Sequence, residues 1–523
     1  MTFVYSKLIT SVSGSNRTIF YSISLLAAFV MLLGTAWIGD DAFITLRVID
    51  NFINGYGLRY NVIERVQVFT HPLWLFLLMP FYALTREAMV TTMAVSLMLS
   101  LVAFWLLAVR IAKETVQGCL LVLAAVASPA ICDFSSSGLE SPLTFMLLAL
   151  FVWQLYRSEK PWIPAAIAGL LLLNRLDLVV LLGPVMAFVL WQTRGTERIK
   201  VAAVLVFPAL AWMIFSLVYY GAPFPNTAYA KLGTGYGTAT LIARGLVYAQ
   251  DFLLNDPLLA LLITAAIIIA LRSRSWPAIL LGVGILLYIA YTISIGGDFM
   301  SGRFFAAPGF LALCLLARAS PPRWLINQGW VAVLAAIIVI GIMLMSRMTE
   351  RPITVDDISS TGIADERRFY YGDNGLLPLL RTWWATGSEP IHPWGVAFKA
   401  MGQQAQTPVT VVNGNAGMRG YYGGPRVHFL DNLALTDAFL ARLPAIPGAR
   451  VGHYERGLPP AYVETAAQPV PTTDSAPLQP LLRDITLATR APLLAEGRAE
   501  AIWRLLSGHY NWVYRAVIYR VRE

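Results

Sequence analysis

Long apolar runs recur along this chain, and they fix its solvent before anything else. The first, residues 19–38, is about 20 residues long and carries no charge. A helix of that length crosses the ~30 Å hydrocarbon layer of a bilayer. Further runs follow at 88–109, 116–132, 141–156, 161–174, 178–192, 201–220, 258–271, 276–295, 304–317 and 330–346. Hydrophobic residues make up 57% of the chain and charged ones 13%, with a mean hydropathy of +0.62. A water-soluble domain has too little interior to hide that apolar fraction. The chain therefore reads as a polytopic α-helical membrane protein with about eleven transmembrane helices. Several runs are shorter than a usual span, and 161–192 also fits a re-entrant pair. The first run reads as a span rather than a cleaved leader, because no small-residue cleavage site follows it.

Charge sets the orientation. With the N-terminus (Lys7, Arg17) in the cytoplasm, the inner loops hold Arg110 and Lys113, Arg157 and Lys160, Arg194, Arg198 and Lys200, Arg272 and Arg274, and Arg318 and Arg323. Each short inner loop is basic, as the positive-inside rule requires. The net charge of +9 is thus an orientation signal and not a nucleic-acid footprint. The outer loops hold Asp40, Asp41, Glu64, Glu140, Asp177, Asp256 and Asp298. This parity requires that His71–Leu84, which contains Pro80, lie at the interface or re-enter rather than span. The expected location is a bacterial inner membrane, with the C-terminal region outside.

From about Met348 the long apolar runs stop. The expected division is a transmembrane domain, residues 1–346, with a first outer loop at 39–87, and a small extracytoplasmic α/β domain, residues 347–523. PVTVVNGNAGMRGYYGGPRVHFLDN reads as strand, turn, short helix, strand, and the C-terminal segment ends on an alternating strand. The Pro/Thr-rich stretch 468–479 reads as a loop. Cys119, Cys132 and Cys314 sit in apolar runs and read as small buried hydrophobes.

The chemistry concentrates in the outer loops. In GDDAFITLRVIDNFINGYG, Phe43, Leu46, Ile49 and Ile53 share one helical face, while Arg47, Asp50, Asn51 and Asn54 share the other, and Gly55 ends the helix. Asp40 and Asp41 open it. Capping is one account: Asp40 as N-cap, Asp41 favoured by the helix dipole. The other is a general base, or a clamp on a metal and an acceptor hydroxyl, at headgroup level. In GGDFMSGRFFAAP, the two glycines before Asp298 imply close backbone approach, and the Arg303 fork suits a phosphate, unless the two form only a surface pair. Tyr229 and Lys231 in YYGAPFPNTAYAK suit an anionic or sugar ligand, or an ordinary aromatic belt. Glu140 in SSSGLESP, with Arg175 and Asp177 in NRLD, are ionisable groups at span ends and thus candidates. His71, before Pro72, is either structural or phosphate-binding.

Taken together, GDDAFITLRVIDNFINGYGLRYN, ERVQVFTHPLW, GLESPL, NRLD, YYGAPFPNTAYAK, GGDFMSGRFF and DNLALTDAFLARLP resemble the GT-C glycosyltransferases. Within them the wording is most similar to the terminal arabinofuranosyltransferases of cell-wall arabinan and the related type IV pilin arabinosyltransferases. The resemblance covers about Asp40 to Tyr462. It implies transfer of a sugar, D-arabinofuranose, from a polyprenyl-phosphate donor to an extracytoplasmic glycan or pilin-type protein. It carries Asp40 and Asp41 over as the family's paired acids; Arg47, His71, Lys231, Asp298 and Arg303 are the donor phosphate- and sugar-binding candidates by their own chemistry. No organic cofactor is implied; a divalent cation at Asp40 or Asp41 stays open. One departure is DNLALTD, where a Gly-Leu pair is usual before the Thr-Asp and Ala434-Leu435 stand here. A same-fold hexose or mannose transferase is an alternative. So is a lipid-linked sugar flippase, which would place ionisable groups mid-span and show inverted repeats. No repeat is visible, and the acids sit at span ends. A non-catalytic assembly protein is a third class, and it would tolerate loss of either aspartate.

Overall fold

Each apolar run expected to cross the membrane is helical in the computed structural model, which describes residues 14–232, 236–354, 358, 361–388, 390–446, 448 and 452–512. Among the described residues, five helices are long and apolar enough to cross on their own: Arg17–Thr35, Met89–Ile111, Gly195–Tyr220, Trp276–Ser294 and Gly329–Thr349. A sixth crossing is available if Thr238–Asn255 and Pro257–Leu271, bent by 106° where they meet, count as one span. The bend has a local cause. Pro257 cannot continue the preceding helix, and Asp256 starts a new one by accepting the Leu259 N–H at 3.1 Å. The helices Thr115–Ala127, Trp162–Asn174 and Leu178–Gln192 are apolar but shorter. The multi-pass character is therefore clear, while length and composition alone do not yield eleven.

Contacts sort the chain into two compact units. One comprises Met1–Ile38, Met89–Pro208 and Ile242–Thr386; the other comprises Gly39–Ala88, Ala209–Leu241 and Gly387–Glu523. The expected boundary at 346/347 thus falls inside the first unit, and the expected first outer loop groups with the C-terminal residues. Composition marks where long apolar runs stop, whereas packing follows the side chains of the intervening loops.

In the first unit, the basic loop residues Arg110, Lys113 and Arg318 lie at one end of the helices, and the carboxylates gather at the other, where Arg175, Arg303 and Arg347 pair with them. At one end Arg318 lies 4.6 Å over the Tyr156 ring, Arg110 lies 5.3 Å over Trp153, and the Lys113 N–H donates to Ala317 O. At the other end, Trp37 Nε1 donates to Asp133 O, Arg347 pairs with Asp133 at 2.6 Å, and Asp256 accepts the Ala130 N–H. Glu140, Arg175, Asp177, Asp298 and Arg303 lie at this same end. This is the separation that the positive-inside pattern encodes.

The second unit holds Asp40–Ile53, followed by Pro72–Thr85. At 14 residues the latter is about 21 Å long, too short to cross unaided. The expected strand–turn–helix–strand is present: Val409–Asn413 and Val427–Asp431 pair in parallel, Val409 opposite Val427, with Met418–Gly423 between them. Val427–Asp431 is buried throughout, as a strand covered on both faces must be. The stretch 468–479 is mostly irregular, ending in a short 3-10 turn at Ala476–Leu478. The expected final strand, along with Lys7, lies outside the described residues.

Beyond Asp431 the chain turns through Ala434, whose φ is +62°. The Asn226 amide holds this turn, donating to Ala434 O, Leu435 O and Asp437 O at 2.9, 3.1 and 3.0 Å. The left-handed region costs a side-chain-bearing residue about 1–2 kcal/mol. A glycine would avoid that cost, and an alanine is the smallest side chain that bears it. Ala434→Gly is expected to shift stability by no more than about 1 kcal/mol, the lost methyl and added chain entropy offsetting relieved strain. Ala434→Val, β-branched at positive φ and buried, is expected to cost about 2 kcal/mol or more. Thermal unfolding of the purified protein in detergent reads both.

Candidate functional site

Three motifs of the first unit converge. Arg175 follows the helix Trp162–Asn174 and forks onto Asp177, with Nε to Oδ1 at 3.0 Å and Nη2 to Oδ2 at 2.5 Å. Its Nη1 donates to Glu140 Oε1 at 3.2 Å. Arg303 also reaches Glu140, at 3.8 Å, and pairs with Asp298 at 3.4 Å. Glu140 therefore stands between two guanidinium groups. Tyr288 closes the ring: its hydroxyl donates to Asp177 Oδ2 and accepts from Arg175 Nη2. The glycines before Asp298 have the predicted reason. Gly297, at φ +72°, lies so close to Tyr248 that a Cβ would sit 2.4 Å from its ring. The Tyr248 hydroxyl then donates to Met300 O and accepts from the Phe304 N–H. The Asp298–Arg303 segment is thus clamped, and the Asp298–Arg303 contact is part of a larger network rather than a lone surface pair.

The second unit holds the adjacent acids. Gly39, and not Asp40, is the N-cap of Asp40–Ile53, and it provides no side-chain cap. Asp40 sits in the first turn, and its carboxylate turns outward to accept the Gly417 N–H at 3.0 Å and the Met418 N–H at 2.8 Å. It therefore secures the start of the helix Met418–Gly423 rather than that of its own. Gly417 is required there, since a Cβ would lie 1.8 Å from Asp40 O. Burial pushes the Asp40 carboxyl up to about 6; the Met418 and Gly417 N–H groups draw it down, and the Asp41 charge adds to the rise. Asp431, at the end of the second strand, is pushed up to about 7, again by burial first, with Asp41 contributing. Asp41 is half-buried within electrostatic reach of both. Asp40, Asp41 and Asp431 thus form one acidic patch.

Arg47 has a different setting from the one its helical-wheel position suggests. It is 2% exposed, and all three of its nitrogens are engaged: Nε with Tyr60 O, Nη1 with Gly420 O and Nη2 with Val427 O, each at 2.7–2.8 Å. The polar face of Asp40–Ile53 is covered by the strand–helix–strand segment, so Arg47 welds the two together. His71 is buried, with Nε2 2.8 Å from Thr45 Oγ1 on the same helix. Tyr229 lies 4.6 Å beneath the Arg442 guanidinium, and Lys231 is half-buried in the last turn of Asn226–Leu232. Sequence reasoning missed Tyr288 and Tyr248, whose positions inside apolar helices look like core, and Asp431, whose only signal was its place in DNLALTD. Among the described residues no group of three His, Cys, Asp or Glu side chains is placed to hold a metal ion.

No family model matches the chain. It is 27% identical to a terminal beta-(1->2)-arabinofuranosyltransferase of Mycobacterium tuberculosis, covering 82% of each chain. It is 27% identical to the Corynebacterium glutamicum protein of the same name, covering 80% of this chain and 72% of that one. Among solved structures it is similar to ArnT from Cupriavidus metallidurans in the apo state, with a TM-score of 0.51 and 16% identity over 82% of this chain and 87% of the other. The fold is of the GT-C type.

The Glu140–Arg175–Asp177 arrangement makes a direct prediction. Removing one partner of a buried pair strands the rest, at about 3–5 kcal/mol. Arg175→Met is expected to lower the thermal midpoint sharply. Arg175→Lys, which keeps the charge but loses the fork, is expected to fall between that variant and wild type. Equal midpoints for all three proteins would contradict the assignment.

Proposed function

We propose that this membrane glycosyltransferase takes D-arabinofuranose from a polyprenyl-phosphate donor and passes it to a hydroxyl of an extracytoplasmic cell-envelope glycan or pilin-type protein. The reading rests most on the two relatives that carry the arabinofuranosyltransferase name, aligned along about four-fifths of the chain. The site chemistry is compatible with it. In the reaction the bond from the anomeric carbon to the phosphate oxygen breaks, and the acceptor oxygen bonds to that carbon. The acceptor proton goes to a carboxylate, and the phosphate leaves on the lipid.

Asp40 and Asp41 divide the work. Asp40 already spends both oxygens on Gly417 and Met418, so its part is to hold the loop. Asp41 is the base that takes the acceptor proton. The acidic patch of Asp40, Asp41 and Asp431 also stabilises positive charge growing on the sugar ring in an oxocarbenium-like transition state. Arg303, whose planar fork suits a phosphate, is a donor-side candidate. Lys231 and His71 remain donor-side candidates. Arg47, fully engaged with carbonyl oxygens, acts as framework. Our reading has the chain in a bacterial inner membrane, N-terminus inside and C-terminal residues outside, and the basic loops at one end of the helices support it.

Purified protein, synthetic polyprenyl-phosphoryl arabinofuranose and an arabinan acceptor test this. Wild type is expected to form product, and Asp41→Asn to lose at least about 100-fold in kcat, the usual scale of a general base. Transfer only from a polyprenyl-phosphate hexose would overturn the sugar assignment. Full activity of Asp41→Asn would overturn the mechanism.

Asp40 adds a pH signature. With a carboxyl near 6, it is ionised above that pH and neutral below, where the Gly417 and Met418 N–H groups lose the charge they point at. The kcat/KM profile is expected to rise as pH increases through about 6 and then level off. Asp40→Asn cannot ionise, and its profile is expected to lack that inflection and to plateau lower. An unchanged inflection in the variant would rule Asp40 out as its source.

A further inference from the structure

The helix Leu376–Thr386 is the last element of the first unit; its first turn is partly buried, and every residue from Leu380 onward is exposed. Leu376 and Leu379 pack inward. Leu377, Leu380, Arg381 and Trp384, spaced i, i+3, i+4 and i+7, form one stripe along an open hollow of about 340 Å³. Trp384 is 94% exposed and Leu380 42%. An indole that open is unfavourable in water, and an apolar stripe of this size marks an interaction surface.

Its place in the fold says what covers it. The Leu376 N–H donates to Ala36 O at 2.8 Å, and Asn374 Nδ2 donates to Ile38 O at 3.1 Å. The helix therefore begins one residue past the end of the span Arg17–Thr35. A Cβ added at Gly34 of that span would meet Leu344 and Met348, so the span Gly329–Thr349 ends at the same level. Both spans expose apolar side chains outward, such as Leu26 and Val30 on one and Ile338 and Ile342 on the other. Two adjacent span ends fix the height of the bilayer surface, and the open stripe starts at that height.

We propose that Leu376–Thr386 is a membrane-surface anchor. It lies in the headgroup layer with Leu377, Leu380 and Trp384 in the acyl boundary and Arg381 among the lipid phosphates. Tryptophan at the boundary with an arginine one turn away is the composition that an interfacial helix uses.

The test uses the full chain in phospholipid nanodiscs. All three native cysteines are buried, so a spin label on Trp384→Cys reports from that position alone. Its collision rates with oxygen, which concentrates in lipid, and with a water-soluble nickel chelate are compared. Leu494→Cys, at a residue 98% exposed in the other unit, is the aqueous control. The expected result is oxygen collision several-fold above nickel collision at 384, and the reverse at 494. Nickel access at 384 equal to the control would overturn the anchor. So would shielding from both reagents, which signals a protein partner. Should Trp384→Cys fail to fold, Leu380→Cys reads the same face with the same outcomes.

Discussion

A charge taken out of water must meet an opposite charge or a set of aimed dipoles, and both units are organised by that requirement. They meet it differently. In the first unit the answer is guanidinium against carboxylate: Arg175 to Asp177 and Glu140, Arg303 to Glu140 and Asp298, Arg347 to Asp133. Each pair joins ends of different helices, so the ion pairs also fix how those ends gather. In the second unit the answer is mostly backbone. Asp40 is met by two N–H groups, Asp431 by those of Leu433 and Leu435, and Arg47 by carbonyl oxygens. Backbone dipoles compensate less than a full opposite charge. Burial raises these carboxyls and the N–H groups draw them only part of the way back, which leaves Asp40 near 6 and Asp431 near 7, where proton transfer is useful.

What the sequence made legible was local or periodic. Apolar runs located the helices because length and hydropathy are properties of one segment. The alternation of basic and acidic loops foretold that Glu140, Asp177 and Asp298 share one end of the helices. The stretch 409–431 revealed its strand–helix–strand order through turn residues. The two glycines before Asp298 pointed to a close neighbour, and Tyr248 is that neighbour.

What stayed hidden depends on residues far apart in the chain. Arg47 looked solvated because its helix is amphipathic on its own, yet Gly420 and Val427, more than 370 positions away, cover that face. Asp40 looked like the cap of its own helix because it opens one; it serves another instead. Tyr288 was invisible because a tyrosine in an apolar span and a tyrosine closing an ion network read alike. Composition also set the domain boundary at 346/347, where packing draws none.

The fate of the two adjacent aspartates follows from helix geometry. Successive residues on a helix point about 100° apart, so two neighbouring carboxylates cannot face one proton together. One of the two directions is already occupied. Asp40 points at the N–H groups of Gly417 and Met418, with Gly417 pressed so closely on Asp40 O that no larger residue fits. A carboxylate held that way positions a loop and contributes its charge at a distance. In the proposed reaction the proton goes to Asp41, which is half-buried and within electrostatic reach of Asp40 and Asp431. Clustered acids are costly in a folded protein. The cost is offset when a cationic transition state forms beside them, because each carboxylate then gains an attraction absent in the ground state. A structural cap needs one acid. A second acid beside it, under the influence of Asp431 as well, makes physical sense when something positive is due to arrive.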